Sequence, residues 1–291
     1  MKISLVVCTK DRAEQLQKCL SHIAKICCQS AWELIVVNNA STDHTDAVLN
    51  DFSRDTSLMF RQAYEPALGS GCAKNTGWRL ANGELIAFID DDCYPRENYL
   101  SEIIECLDNP SLGFVGGRVL LFDPADYPIT IQTSEVRREY EAYSFIAAGE
   151  IHGANFAFRK KALEDVGGFD PRFGAGTRYP CEDIDVLARV LGAGWAGAYD
   201  PRPVVYHHHG RKGDRVLNLI KAYDRGRGAY YAKCMMNSKL HRQYRSNWLR
   251  RVRYQSIVTT ERELRAMLIY SFTILTSRML AKISGKSRTE N

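Results

Sequence analysis

Residues 83–93 read Gly83-Glu84-Leu85-Ile86-Ala87-Phe88-Ile89-Asp90-Asp91-Asp92-Cys93. The first half, Leu85 to Ile89, is an apolar run of strand length with β-branched and aromatic members. That is the pattern of a strand buried on both faces of a parallel sheet. The second half is three adjacent carboxylates. At the carboxyl end of such a strand they lie where open α/β sheets bind their ligands. Three like charges side by side repel one another. A hard divalent cation with oxygen ligands relieves that repulsion and often arrives with a phosphate group. A solvated acidic turn is the alternative for an isolated Asp triplet, and position directly after a buried strand favours the metal.

Upstream, Ile3 to Cys8 reads as a strand, and Leu16, Leu20, Ile23 and Cys27 follow at the spacing of one helical face. Glu33 to Val37 is a second strand. Asn38 to Asp43 is a turn rich in capping residues, leading into a helix through Val48, Leu49 and Phe52. Leu58 to Ala63 is a third strand, and Cys72 to Leu80 a helix. This β-α-β-α rhythm predicts right-handed crossovers and a mostly parallel sheet.

Downstream the rhythm loosens. Glu97 to Leu107 and Pro180 to Leu191 read as helices, and Phe114 to Phe122 and Asn155 to Phe158 as strands. Lys160 to Val166 is a helix ended by Gly167-Gly168. Residues 129–150 are expected to be partly helical. Ala196 to Tyr206 is expected as one or two short strands broken by Pro201 and Pro203. Beyond Gly210 the chain becomes helical and basic.

The charge is unevenly placed. Of 291 residues, 45% are hydrophobic and the net charge is +5, enough apolar surface for a sizeable core. Residues 211–291 hold 19 Lys+Arg against 5 Asp+Glu, a balance of +14, which leaves −9 for residues 1–210. This divides the chain into a 1–210 unit and a 211–291 extension, and points the extension at an anionic surface. Nucleic acid and an anionic membrane are the two usual surfaces. From His241 to Arg253, Arg residues interleave with Tyr244 and Trp248, and Tyr254 follows. Leu264, Met267, Leu268, Phe272, Leu275 and Met279 then form a helical apolar stripe. No nucleic-acid recognition motif is present, so the membrane is the expected partner. Packing of the stripe on the catalytic unit is the alternative. The nine cysteines form no CxxC pair, as in a reduced, cytoplasmic protein. The N-terminal apolar run is too short for a signal peptide, and no run of membrane-spanning length occurs.

Three strand ends converge on one sheet edge: Cys8-Thr9-Lys10-Asp11-Arg12, Asn38-Asn39 and the Asp triplet. Arg12 and Lys74 offer positive charge for a phosphate. Gly69-Ser70-Gly71 beside a helix start lets backbone N–H groups approach a ligand, without the spacing of a dinucleotide fingerprint or a P-loop. Glu182-Asp183 opens a helix, where acids stabilise the helix dipole. The loop Phe173-Gly174-Ala175-Gly176 before it is also what a closing active site uses. In His207-His208-His209, His207 and His209 share a face of an extended chain. An imidazole added to carboxylates suits Mn2+ as well as Mg2+.

Taken together, these residues resemble an inverting family 2 glycosyltransferase with the GT-A fold. The matching stretches are Leu5 to Arg12, Val36 to Asp43, Ala73 to Gly77, Phe88 to Asp92, Gly153 to Arg159, Val166 to Asp170, Glu182 to Asp185 and the late histidine. The resemblance implies a Rossmann-like, mostly parallel central sheet flanked by helices, with a helical C-terminal extension. It implies Thr9, Asp11 and Asn39 at the nucleotide base and ribose, and Arg12, Lys74 and Asn75 near the donor. Asp90 and Asp91 would lie near ribose and sugar. Asp92, with Asp90 and either His207 or His209, would hold a divalent cation, Mn2+ or Mg2+, with His207 favoured. Asp183 would be the general base, with Glu182 holding the acceptor. The loop from Gly149 to Asn155, with Gly153 and Asn155, would face the transferred sugar or the acceptor. Many relatives carry an Asp pair where this chain has Asn38-Asn39. That departure leaves the base preference open: a UDP-sugar is expected first, with dTDP- and GDP-sugars beside it. The acceptor expected is a glycan or lipid-linked saccharide at the cytosolic membrane face. A sugar nucleotidyltransferase and a non-catalytic scaffold with a degenerate transferase fold are the alternatives. The first needs a triphosphate loop that Thr9 to Glu14 does not supply.

Overall fold

A computed structural model describes residues 1–283, with every side chain in that range except those of residues 214, 215 and 281–283. The first half alternates strand and helix: β1 (Ile3–Thr9), α1 (Ala13–Ile23), β2 (Trp32–Asn38), α2 (Thr45–Asp55), β3 (Phe60–Tyr64), α3 (Ser70–Leu80) and β4 (Leu85–Asp90). There follow β5 (Cys93–Pro95), α4 (Tyr99–Cys106), β6 (Leu112–Leu121), β7 (Arg138–Tyr140), β8 (Asn155–Arg159), α5 (Lys160–Asp165), α6 (Glu182–Gly192) and β9 (Ala196–His207). The chain then runs through α7 (Gly213–Met235), α8 (His241–Val252) and α9 (Ile257–Ile283).

The strands form one sheet in the order β3-β2-β1-β4-β8-β6-β9-β5, with β7 also pairing to β9. Strands β3, β2, β1 and β4 are parallel. Beyond them β8 runs antiparallel to both β4 and β6, while β9 is parallel to β6. The expectation of a mostly parallel sheet therefore holds for the N-terminal half alone, and the sheet as a whole is mixed. Alternate residues of the inner strands feed two cores. Ile3, Leu5 and Val7 of β1 pack with Leu16, Leu20 and Ile23 of α1 on one face. Val6, Ile35, Val37 and Phe88 pack with Ala73 and Trp78 of α3 on the other.

Two sequence expectations are corrected. Residues 129–150 contain no helix. They form turns, the short strand β7 and a bridge from Gln132 to Val119. Strand β9 is continuous through Pro201 and Pro203. Its pairing with β6 jumps from Gly116↔Tyr199 to Arg118↔Val204, so the prolines lie in a bulge where no ladder hydrogen bond is required.

The C-terminal helices join the same core. Tyr230, Tyr231 and Tyr244 are fully buried in the cluster that contains Phe156 and Phe173. Tyr230 Oη donates to the Ile146 carbonyl at 2.9 Å. Of the apolar stripe on α9, Met267 packs against this core, whereas Leu264, Leu268, Phe272, Leu275 and Met279 are exposed. Among the described residues no helix is long and apolar enough to cross a membrane.

Candidate active site

A cavity of about 670 Å³ opens at the carboxyl ends of β1, β2 and β4. Pairing of β5 with β9 places Cys93 opposite His207, and the His208 N–H donates to the Asp92 carbonyl at 2.9 Å. This register brings the end of β9 to the acidic tip of β4. His207 Nε2 lies 3.3 Å from Asp92 Oδ1. Arg12, at the start of α1, reaches Asp92 with its terminal nitrogen and Asp91 Oδ1 with Nε at 3.1 Å. Thr9 Oγ1 donates to Asp91 Oδ2 at 2.7 Å.

Burial sets these carboxyl groups apart. It pushes Asp91 up to about 7 against the pull of Arg12, and raises Asp90 against the pull of Lys74. At Asp92 burial is outweighed by His207 and Arg12, and its carboxyl is held well below the usual range. Asp90, Asp92, Cys93 and His207 each offer a ligand atom, all within 4.8 Å of one another. Burial keeps the Cys93 thiol protonated, so the donor set that fits a cation is two carboxylates and an imidazole. That mixed oxygen and nitrogen set suits Mn2+ or Mg2+. Arg12 and His207 also face these carboxylates and offset their charge.

The second acidic pair sits across the cavity at the N-terminus of α6. Glu182 Oε1 accepts from Lys74 Nζ and from Ser70 Oγ, both at 2.7 Å. Asp183 Oδ2 accepts the Gly153 N–H at 3.0 Å. A Cβ on Gly153 would lie 3.2 Å from the Asp183 Cβ, so glycine allows this approach. Burial, and then the charge of Glu182, lift Asp183 to about 6. The glycine-rich loop is fastened to α3: Ser70 N–H donates to the Ala175 carbonyl at 3.0 Å, and Ala175 N–H to Ser70 Oγ at 2.9 Å. Gly174 sits at φ +117° against Ser70, a conformation and a space that exclude a side chain.

The cavity brings together Thr9, Asp11, Arg12, Asn39, Lys74 and the three aspartates, and also Gly153, Glu182, Asp183 and His207. Several of these differ from expectation in detail. Lys74 is committed to Glu182. Asn39 donates to the Glu65 and Ala67 carbonyls and accepts from Gly69 N–H, so it braces the loop that shapes the cavity. Asp11 accepts the Thr42 N–H at 2.6 Å and ties two loops together.

Three expected residues lie elsewhere. Asn75 is buried, with its amide closed onto the backbone of Phe169 and the Trp78 indole. Asn155 is buried in the sheet, where Nδ2 reaches the Arg118 and Pro203 carbonyls and Oδ1 accepts from Tyr99 Oη. His209 is set behind His207, its ring perpendicular to that of His207 at 4.9 Å between centroids. Its Nδ1 accepts the Arg211 N–H.

The loop expected at the sugar or the acceptor does reach the cavity, through Gly149, His152 and Gly153, while the sequence reading missed Tyr223, Arg227 and Arg251, which also line it. Burial, together with the charge of His207, lowers His152 to about 4 and holds it neutral. Tyr223 and Arg227 are four apart on α7, a helical spacing that was legible. Nothing local marks Arg251 among the Arg residues between His241 and Arg253.

Residues 4–167, more than half of the chain, match the profile of glycosyl transferase family 2. The chain belongs to that family. This family 2 glycosyltransferase is 25% identical over 195 residues to glycosyltransferase AglE of Haloferax volcanii, covering 67% of this chain and 62% of AglE. It is 26% identical over 212 residues to poly-beta-1,6-N-acetyl-D-glucosamine synthase of Staphylococcus epidermidis, covering 70% of this chain and 49% of that enzyme. The chain thus spans less than two thirds of these curated relatives. Among solved structures it resembles a mannosyltransferase of Pyrobaculum calidifontis in complex with GDP-Man and Mn2+. That likeness has TM-score 0.68 and 18% identity, over 96% of this chain and 80% of that one. It also resembles S. aureus TarS in complex with UDP-GlcNAc, with TM-score 0.58 and 16% identity over 84% of this chain and 69% of that one. The fold is GT-A-like.

Proposed function

We propose that this glycosyltransferase moves a sugar from a nucleoside diphosphate sugar to a hydroxyl acceptor with inversion at the anomeric carbon. The observation that carries the reading is the shared cavity, with the Asp90/Asp92/His207 set on one wall and a raised Asp183 on the other. Solved neighbours bind GDP-Man and UDP-GlcNAc, which supports a nucleotide-sugar donor. A UDP-sugar is taken first, with dTDP- and GDP-sugars beside it.

Asp92, Asp90 and His207 would hold a divalent cation, Mn2+ or Mg2+, which neutralises charge on the leaving diphosphate. Thr9 and Arg12 fix Asp91 and Asp92 at the donor side. At the other side the acceptor oxygen attacks the anomeric carbon as the bond from that carbon to the diphosphate oxygen breaks. Its proton passes to the Asp183 carboxylate, which Gly153 N–H keeps in place. Glu182, anchored by Lys74 and Ser70, orients the acceptor. A general base of this kind contributes about 10²- to 10⁴-fold. The acceptor is proposed to be a glycan or lipid-linked saccharide, reached at the cytosolic face of an anionic membrane through the basic region 211–291.

Calorimetric titration of UDP-, dTDP- and GDP-sugars, with Mn2+ or with chelator, tests this in the wild type and in Asp92→Ala. One donor should bind in a Mn2+-dependent manner, and the substitution should abolish that dependence. Binding that ignores both the cation and the substitution overturns the assignment.

A further inference from the structure

A second concavity, of about 280 Å³, lies away from the catalytic cavity. Its wall is built by Lys221 and Arg225 of α7, Arg262 and Arg265 of α9, and Arg178 in the loop before α6. Five cationic side chains thus face one small space. Arg262 has a carboxylate partner, Asp224 Oδ2 at 3.1 Å. Among the described residues no carboxylate stands within ion-pair distance of the other four. Gathering like charges in a concave site is costly unless an anion enters it, and a phosphate oxygen is the ligand for which Arg geometry is suited.

The same helix carries an exposed apolar stripe. Leu264, Leu268, Phe272, Leu275 and Met279 follow one another at spacings of four, four, three and four, which is one helical face. Leu268 and Phe272 are each 70% exposed. Helix α9 is therefore apolar on two sides, one packed on the core through Ala266 and Tyr270 and one open. Arg265 lies three residues before Leu268, so the basic pocket and the stripe share an edge. An open apolar face bordered by unpaired cations fits an interface with acyl chains on one side and phosphate groups on the other.

We propose that this pocket takes a headgroup phosphate of an anionic lipid while the α9 stripe enters the acyl boundary. The proposal deepens the membrane reading given above and rests on it. It adds the seat: the region binds through one pocket, and the rest of its positive charge contributes only general attraction.

Flotation of the full chain on vesicles tests it, using phosphatidylcholine alone or mixed with phosphatidylglycerol. The wild type should float with the anionic vesicles and not with the neutral ones, and less at high salt. Arg225→Glu/Arg265→Glu should lose about tenfold or more of that binding, as charge reversal at a lipid surface requires. Arg225→Lys/Arg265→Lys should keep most of it, and Leu268→Asp/Phe272→Asp should lose it. None of these residues lines the catalytic cavity, so donor binding and the thermal melt serve as folding controls. Failure of the wild type to float overturns both the pocket and the membrane reading. A floating wild type with an equally floating Arg225→Glu/Arg265→Glu variant overturns the pocket and leaves the membrane reading standing. Stabilisation by inorganic phosphate without vesicle binding assigns the pocket to a free anion and overturns the proposal. A dimer by light scattering that fails to float assigns the stripe to a second copy, with the same consequence.

Discussion

Lys74 Nζ donates to Glu182 Oε1 at 2.7 Å, joining α3 to the first turn of α6 across 108 residues. Both side chains are nearly withdrawn from solvent. Burial opposes both charges, yet each holds the other ionised, raising Lys74 and lowering Glu182. Removing one partner of such a pair leaves an uncompensated buried charge. Lys74→Met should therefore destabilise the fold by about 3–5 kcal/mol. Lys74→Met/Glu182→Gln should recover most of that loss. Urea denaturation of the two variants and of Glu182→Gln completes the cycle, and an additive result would contradict the coupling.

The acid limb of activity should report Asp183. Its carboxyl is raised to about 6 by burial and then by Glu182, and a base must be ionised to accept a proton. kcat/KM should therefore fall as pH drops below about 6 and level off above it. Glu182→Gln removes the neighbouring negative charge, which eases ionisation of Asp183 and moves the limb to lower pH. A limb that stays in place, or moves up, would mean that another group sets it.

Alternation of an extended chain puts His207 and His209 on one face, but β9 ends at His207 and only His207 meets the acidic tip. His207→Ala should weaken Mn2+-dependent donor binding by at least about 10- to 100-fold, the loss that removal of a supporting residue alone produces. His209→Ala should change it by less than that range. Calorimetry at saturating donor separates the two, and equal losses would place both rings at the cation.

Asn155 holds two carbonyls at the β6–β9 irregularity and accepts a hydrogen bond from Tyr99 Oη. Asn155→Leu should leave these buried groups unpaired at a cost of about 1–3 kcal/mol each. Donor affinity should not change. A normal melt with impaired donor binding would return Asn155 to the sugar pocket.

The parallel half of the sheet was legible because β1, β2 and β4 are short apolar runs buried on both faces, and their polar ends had to share an edge. The Glu182-Asp183 pair was legible as a helix start, although acids there serve the helix dipole too. Other features depend on contacts distant in sequence. Residues 129–150 are ordered by β9 and by the Tyr199 hydroxyl on the Ser134 carbonyl, which no local periodicity encodes. Pro201 and Pro203 read as breaks because the bulge that accommodates them belongs to the pairing with β6. Asn75 and Asn155 looked like ligand contacts because a buried amide that closes on backbone has the same sequence as one that faces a substrate. The 211–291 extension was separable by charge, yet among its described residues Tyr230 and Tyr244 belong to the core and Arg227 to the cavity wall.

The central claim is that Asp183 takes the acceptor proton while the donor is held by the opposite wall. Asp183→Asn separates the two, since it keeps the shape and removes the base. Donor affinity by calorimetry and nucleoside diphosphate release, with water as the minimal acceptor, should be measured on the same preparation. Affinity within about threefold of wild type, with release slowed by about 10²- to 10⁴-fold, is the predicted result. Release that persists at the wild-type rate, or donor binding lost with the fold intact, would contradict the account.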